Sequence, residues 1–192
     1  MKQVLIINGH PNKESYNYAL SAAYAKGAST TSSFINQIDI SDLDFNPNLT
    51  SGDQHNSELE PDLQDAVEKI KKADHIVWVF PMWWYGSPAL MKGFIDRTFL
   101  PGITFKYEKG KAFPKKLLKG KTARVIITAD TPKWYDSIFM KRPAINQLKK
   151  GTLQFCGINP VKITYIAPII GSKEAFRTKW LNKVSTLGEK LK

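Results

Sequence analysis

The sequence predicts a doubly wound α/β fold: a five-stranded parallel sheet in the order 2-1-3-4-5, with helices on both faces. Three observations carry that expectation. Short β-rich runs alternate with longer amphipathic stretches along the chain. Two of those runs, Val4-Leu5-Ile6-Ile7 and Ile76-Val77-Trp78-Val79-Phe80, are apolar throughout, as central parallel strands are when helices cover both faces. The 192 residues contain no internal repeat, low-complexity tract or linker, so one domain over 1–192 is expected.

The elements follow in order. Gln3–Asn8 reads as the first strand. A helix begins at Ser15, a capping residue type, and runs to about Lys26. Phe34–Ile40 is the second strand. Pro61 to Lys72 is a helix with proline at its first position, Leu63, Ala66, Val67 and Ile70 on one face, and Lys71-Lys72 complementing the dipole at its end. His75–Phe80 is the third strand. Ser87-Pro88 opens a helix to about Arg97 by the same logic. Ala123–Thr128 is the fourth strand, Pro143 starts a helix that stops near Gly157, and Val161–Tyr165 is the fifth strand. The last helix carries Phe176, Trp180, Val184, Leu187 and Leu191 at three- and four-residue spacing.

The totals narrow the function. The one cysteine, Cys156, excludes an internal disulfide scaffold and suits a reducing compartment. The opening apolar run is far shorter than the roughly 20 residues of a membrane helix, and no small-residue cleavage site follows it, so a cytoplasmic protein is expected. With 28 basic and 17 acidic residues the net charge is +11, a field that gathers anions without choosing among them. The segment from Lys106 to Lys121 holds seven lysines against Glu108, a solvated charge run that could also attract the phosphates of an anionic ligand. The stretch from Thr98 to Gly120 is longer than ordinary connections and reads as functional or as an interface.

In such sheets ligands bind beyond the carboxyl ends of the strands, where the winding reverses. The loop after strand one, Asn8 to Asn17, ends at a helix start where free N–H groups favour phosphate, and His10, Ser15 and Asn17 add side-chain donors. It has neither G-x-G-x-x-G nor a Walker loop, which disfavours a simple dinucleotide-binding enzyme and a P-loop NTPase. The loop after strand three, Pro81-Met82-Trp83-Trp84-Tyr85-Gly86-Ser87-Pro88, sets three large rings in a row. Rings in a loop build walls for flat conjugated ligands, and the backbone N–H groups here would meet the ligand's polar edges. The loop after strand four, Thr128-Ala129-Asp130-Thr131-Pro132-Lys133-Trp134-Tyr135, begins with small residues that admit a ligand to the backbone. A flavin matches both halves of this site, the anionic tail and the flat ring.

The run from Pro81 to Arg97 resembles the signature of the flavodoxin-like NAD(P)H:quinone oxidoreductase family, which also includes drug-activity modulators and ancillary subunits of potassium-efflux systems. His10-Pro11 with Ser15-Tyr16-Asn17 is similar to that family's pyrophosphate loop, and Gly151 to Gly157 is similar to its segment before strand five. The resemblance implies that His10, Ser15, Tyr16 and Asn17 hold the flavin phosphates and ribityl region. Pro81, Met82, Trp83, Trp84 and Tyr85 would line the flavin ring, and Thr128, Ala129 and Asp130 would hold its opposite edge. Thr128-Ala129-Asp130-Thr131 replaces the Thr-Thr-Gly-Gly of mammalian-type members, and no histidine lies between Asp130 and Cys156. Tyr135 is then the stand-in for the substrate-side groups, with Trp83 at the ring. The resemblance implies FAD rather than FMN, NADPH or NADH as hydride donor, a quinone or similar flat acceptor, and a homodimer. No metal ligands are assigned, and neither nucleic acid nor membrane insertion is expected. The alternative is a flavin-loaded regulatory subunit that docks on a membrane transporter.

Overall fold

A computed structural model describes residues 1–31, 33–49 and 59–191. Five strands form the parallel sheet: β1 (Gln3–Asn8), β2 (Phe34–Asp39), β3 (His75–Pro81), β6 (Thr122–Thr128) and β7 (Val161–Ile166). They lie in the order β2-β1-β3-β6-β7, which is the expected 2-1-3-4-5 winding. Register follows from the alternation of side chains across each strand. Leu5, Ile7, Ile76, Trp78, Phe80, Val125 and Ile127 fill one face, and Val4, Ile6, Val77, Val79 and Ile126 fill the other.

The first face is covered by α2 (Pro61–Lys72), α3 (Ala89–Thr98) and the segment before β7. The second is covered by α1 (Tyr16–Ser29) and α6 (Glu174–Glu189). Helices α1 and α6 touch backbone to backbone: a Cβ placed on Gly27 would collide with the Ser185 carbonyl, and one on Gly188 with the Tyr24 carbonyl.

Several expectations need correcting. β2 ends at Asp39, because its ladder with β1 closes at Asn8↔Asp39 and Ile40–Asp42 turns into a 3₁₀ helix. Helix α3 starts at Ala89, with Pro88 held extended as its N-cap. The alternation of strand and helix is not strict. The stretch from Thr98 to Gly120 contains a two-stranded antiparallel ribbon, β4 (Phe105–Lys106) and β5 (Lys115–Lys116). A short helix, α4 (Lys133–Ile138), follows β6. The helix expected from Pro143 to Gly157 is α-helical over α5 (Pro143–Asn146), widens to a π-helix over Gln147–Gln154 and is α-helical again at Phe155 and Cys156. No helix among the described residues is long and apolar enough to cross a membrane.

Candidate functional site

The carboxyl ends of β1, β3 and β6 bring the three loops together. At the end of β1 the buried Asn8 donates from Nδ2 to Ser21 Oγ (2.9 Å) and accepts at Oδ1 from the His10 N–H (2.9 Å). That pair fixes the turn into α1. His10 Nδ1 accepts from the Asn12 N–H (2.9 Å), so the neutral ring carries its proton on Nε2. Partial burial lowers the His10 pKa, favouring that neutral form.

Ser15 sits at the N-cap of α1, but its hydroxyl does not cap the helix. Among the described residues, Ser15 Oγ is buried without a hydrogen-bond partner, and so is Asn17 Nδ2. Asn17 is oriented from the far side, because its Oδ1 accepts from Thr128 Oγ1 at 2.9 Å. The first turn of α1 thus holds two buried donors with no acceptor beside helix N–H groups that also lack one. Leaving such a donor unpaired costs about 1–3 kcal/mol. A phosphate oxygen at the helix start would satisfy both, so these residues fit the anionic tail of a flavin nucleotide.

The aromatic loop forms a tight turn in which Trp83 and Gly86 exchange both backbone hydrogen bonds (3.0 and 2.9 Å). Trp84 and Tyr85 occupy the left-handed region at φ 49° and 58°, a conformation that bulky residues seldom adopt. Trp84 is 99% exposed and Trp83 45% exposed, so these rings are not core filler. The expectation of freely available backbone donors is corrected in part. The Met82 N–H is committed to Thr128 O (2.7 Å), and those of Trp83 and Gly86 to each other's residue. Trp84, Tyr85 and Ser87 are the positions of this loop whose N–H groups meet no acceptor among the described residues. The His10 ring lies edge-on to Trp83, centroids 5.9 Å apart, which joins the phosphate turn to the aromatic turn.

The third loop divides. Thr128 faces Asn17, and Ala129 donates its N–H to Ile166 O (3.0 Å). Asp130 turns away: its Oδ1 accepts from the N–H groups of Ile169 and Ile170 (3.0 and 2.6 Å), so it braces the loop after β7. Tyr135 lies in a separate aromatic group, with Trp134 at 5.7 Å and Phe139 at 5.1 Å between centroids.

Three features were not foreseen. The Arg177 guanidinium lies 5.7 Å from the centroid of Tyr16, whose hydroxyl donates to Arg177 O (2.7 Å). This sets a cation beside the first turn of α1, and burial pushes the Tyr16 hydroxyl up to about 12. Asp136 is buried with Oδ1 unpartnered among the described residues, and burial raises its pKa. Finally, a cleft of about 270 Å³ opens between α3 and the π-helix, lined by Ser87, Met91, Lys92, Gln147, Gly151 and Thr152. Met91 packs so close to Gly9 that a Cβ there would lie 2.6 Å from its sulfur, so the cleft adjoins the β1 turn. A glycine at position 151 was the available sequence signal for a departure from α-helix.

Winding of this kind, with a donor-lined helix start where the strand order reverses, is that of the flavodoxin-like α/β proteins. The chain belongs to the flavodoxin-like fold family, whose model matches residues 2–187. It is similar to the human ribosyldihydronicotinamide dehydrogenase [quinone], with 27% identity over 223 residues covering 97% of this chain and 92% of that protein. Smu.1420 from Streptococcus mutans UA159 matches with TM-score 0.87 and 29% identity, covering 98% of this chain and 99% of that one. The FMN-dependent NADH-azoreductase from Bacillus anthracis str. Ames Ancestor, in complex with FMN, matches with TM-score 0.75. It covers 100% of this chain and 99% of its own, and at 19% identity the likeness speaks for the fold alone.

Proposed function

We propose that the chain, working as one domain over 1–192, is a flavin-dependent NAD(P)H oxidoreductase. It would pass a hydride from NADH or NADPH through the bound flavin to a quinone or similar flat acceptor, donor and acceptor taking the same place in turn. The carrying observation is the pair of buried, unpartnered donors at the start of α1, Ser15 Oγ and Asn17 Nδ2. The human relative's name, a dihydronicotinamide dehydrogenase acting on quinone, supports the same reading.

When bound, the flavin supplies the hydride chemistry, and the protein supplies position and electrostatics. Ser15, Asn17 and the α1 dipole hold the phosphate, with Arg177 adding charge from α6. His10 presents its Nε2–H from the strand end. Trp83 and the Trp84-Tyr85 backbone wall the ring, and Thr128 fixes the Asn17 amide. Tyr135 and its aromatic group would cover the acceptor. We favour FAD, on the resemblance of Ser15-Tyr16-Asn17. The Bacillus azoreductase is FMN-dependent, which makes FMN the alternative. A homodimer and a cytoplasmic location belong to the same proposal; the exposed Trp134, Ile138 and Phe139 offer apolar surface for a second copy.

The test is a spectrum. The purified chain should be yellow, bleach with NADPH or NADH, and recover colour on addition of a quinone, with the flavin released by denaturation identified as FAD or FMN. A colourless chain that takes up neither flavin overturns the proposal. A yellow chain that no nicotinamide bleaches overturns the oxidoreductase reading and leaves the transporter-docking alternative.

A further inference from the structure

We propose that the β4–β5 ribbon and its turn dock the protein on the surface of an anionic lipid bilayer. The inference is independent of the flavin site and begins with the distribution of charge. Residues 1–100 contain 8 basic and 12 acidic residues, net −4; residues 101–192 contain 20 basic and 5 acidic, net +15. Such asymmetry between halves points to a polyanionic partner. In the sheet the halves separate: β2, β1 and β3 come from the acidic half, and β6 and β7 from the basic half. The ribbon belongs to the basic side. It is anchored there by Phe105, whose ring lies 5.0 Å from that of Phe155, and by the Leu118 N–H on Cys156 O (3.0 Å).

Within the ribbon, Lys106 stands directly opposite Lys115, and both are exposed. Like charges facing across an antiparallel pair destabilise it. The arrangement becomes favourable once a layer of negative charge lies against it. Lys109, Lys111 and Lys119 are exposed on the same segment; Lys111 pairs with Glu108, and Lys116 donates to Gln154 O (2.8 Å). Between the two strands the turn carries Phe113, 84% exposed, and Tyr107, 62% exposed. An aromatic ring projecting among lysines suits the headgroup boundary, where the ring enters the apolar edge and the ammonium groups meet lipid phosphates. A nucleic acid fits less well, because stacking sites for successive bases lie along a groove, whereas Phe113 projects from the turn and Tyr107 packs edge-on against Phe105 at 5.5 Å.

The experiment is co-sedimentation of the full chain with vesicles of phosphatidylcholine alone and of phosphatidylcholine mixed with phosphatidylglycerol. Binding to the anionic vesicles only, weakening as salt is added, is expected. Lys106→Gln, Lys109→Gln and Lys115→Gln together should weaken it about a hundredfold, at about fivefold per lysine. Phe113→Ser should weaken it severalfold more. A matched set on α6 and its ends, Lys173→Gln, Lys179→Gln and Lys190→Gln, controls for total charge, and melting curves confirm folding. Equal loss in both sets, equal binding to neutral vesicles, or no binding overturns the proposal. So does displacement from the vesicles by a random-sequence oligonucleotide at low concentration.

Discussion

At the amino edge of the sheet His75 heads β3 with both ring nitrogens engaged: Nε2 with Tyr24 OH at 3.0 Å and Nδ1 with Thr122 Oγ1 at 2.7 Å. Around it Asp74 Oδ2 accepts from the Gln3 N–H (2.9 Å), and Lys121 Nζ donates to Lys71 O and Ala73 O (both 2.6 Å). At the carboxyl edge of the same strands, Ser15 Oγ and Asn17 Nδ2 are buried with no partner among the described residues, and Trp84 and Tyr85 hold left-handed backbones. One helix shows the contrast along its length, since α1 begins at the unsatisfied edge and ends against α6 at the satisfied one. Closed polar networks stabilise the fold; the open donors are the ones assigned to a ligand under the proposed function.

The largest effect should come from the closed end. Gly27→Ala drives a Cβ into the backbone of Ser185 and Glu189, where no side chain can swing aside. A loss at or above the ~3 kcal/mol upper range of overpacking is expected, lowering Tm by about 10 °C for a chain of this size. A melting curve checks it, and an unchanged Tm would show that the helices part freely.

His75 gives the next effect, and its sign is fixed by the network. Burial first, then Arg124, Lys2 and Lys162, push its pKa down to about 4 from 6.5. Above pH 6.5 the ring is neutral folded and unfolded alike. As pH falls from about 6.5 to 4 the unfolded chain takes the proton and the folded chain does not. Stability is therefore lost across that window, by about 3 kcal/mol in all. Denaturant titrations at several pH values should show the slope for the wild type and a flatter one for His75→Gln. Equal slopes would place the titration elsewhere.

Ser15→Ala tests the open end. Removing a buried, unpartnered hydroxyl should stabilise the flavin-free protein, by about 1 kcal/mol. Flavin affinity should fall about tenfold or more, the worth of a hydrogen bond to a charged group. Titration of flavin-free protein by fluorescence quenching separates the two. A destabilised protein with unchanged affinity would assign Ser15 to the fold.

These contrasts also decide what the sequence could reveal. The winding was legible because burial on both faces leaves unbroken apolar runs at Val4–Ile7 and Ile76–Phe80, which nothing local imitates. The convergence of Asn17 with Thr128 followed from topology alone. The residue type of Ser15 predicts a helix cap, but its hydroxyl makes no cap bond, and a capping and a non-capping serine have the same sequence. Asp130 was read as a site residue, but its carboxylate is spent on the Ile169 and Ile170 N–H groups, a long-range bond invisible to spacing. The ribbon and the π-helix escaped for a related reason. Two-residue strands have no period to detect, and one wide turn shifts a helical pattern by too little to register.

The smallest effect should be the most informative about the aromatic turn. Trp84 projects fully into solvent from a left-handed backbone, so its side chain contributes no packing while its φ of 49° costs about 1–3 kcal/mol. Glycine adopts that conformation freely. Trp84→Gly should therefore raise the stability of the flavin-free protein by about 1 kcal/mol, after allowing for the greater entropy of an unfolded glycine. If the strain is kept for the wall it builds, the same variant should lose acceptor turnover severalfold, seen as a higher KM for the quinone with flavin content unchanged. A gain in stability without that loss would make the turn a tolerated irregularity. A loss of stability would mean that the indole is held by contacts the free chain does not make, which is the behaviour of a ring packed against a second copy.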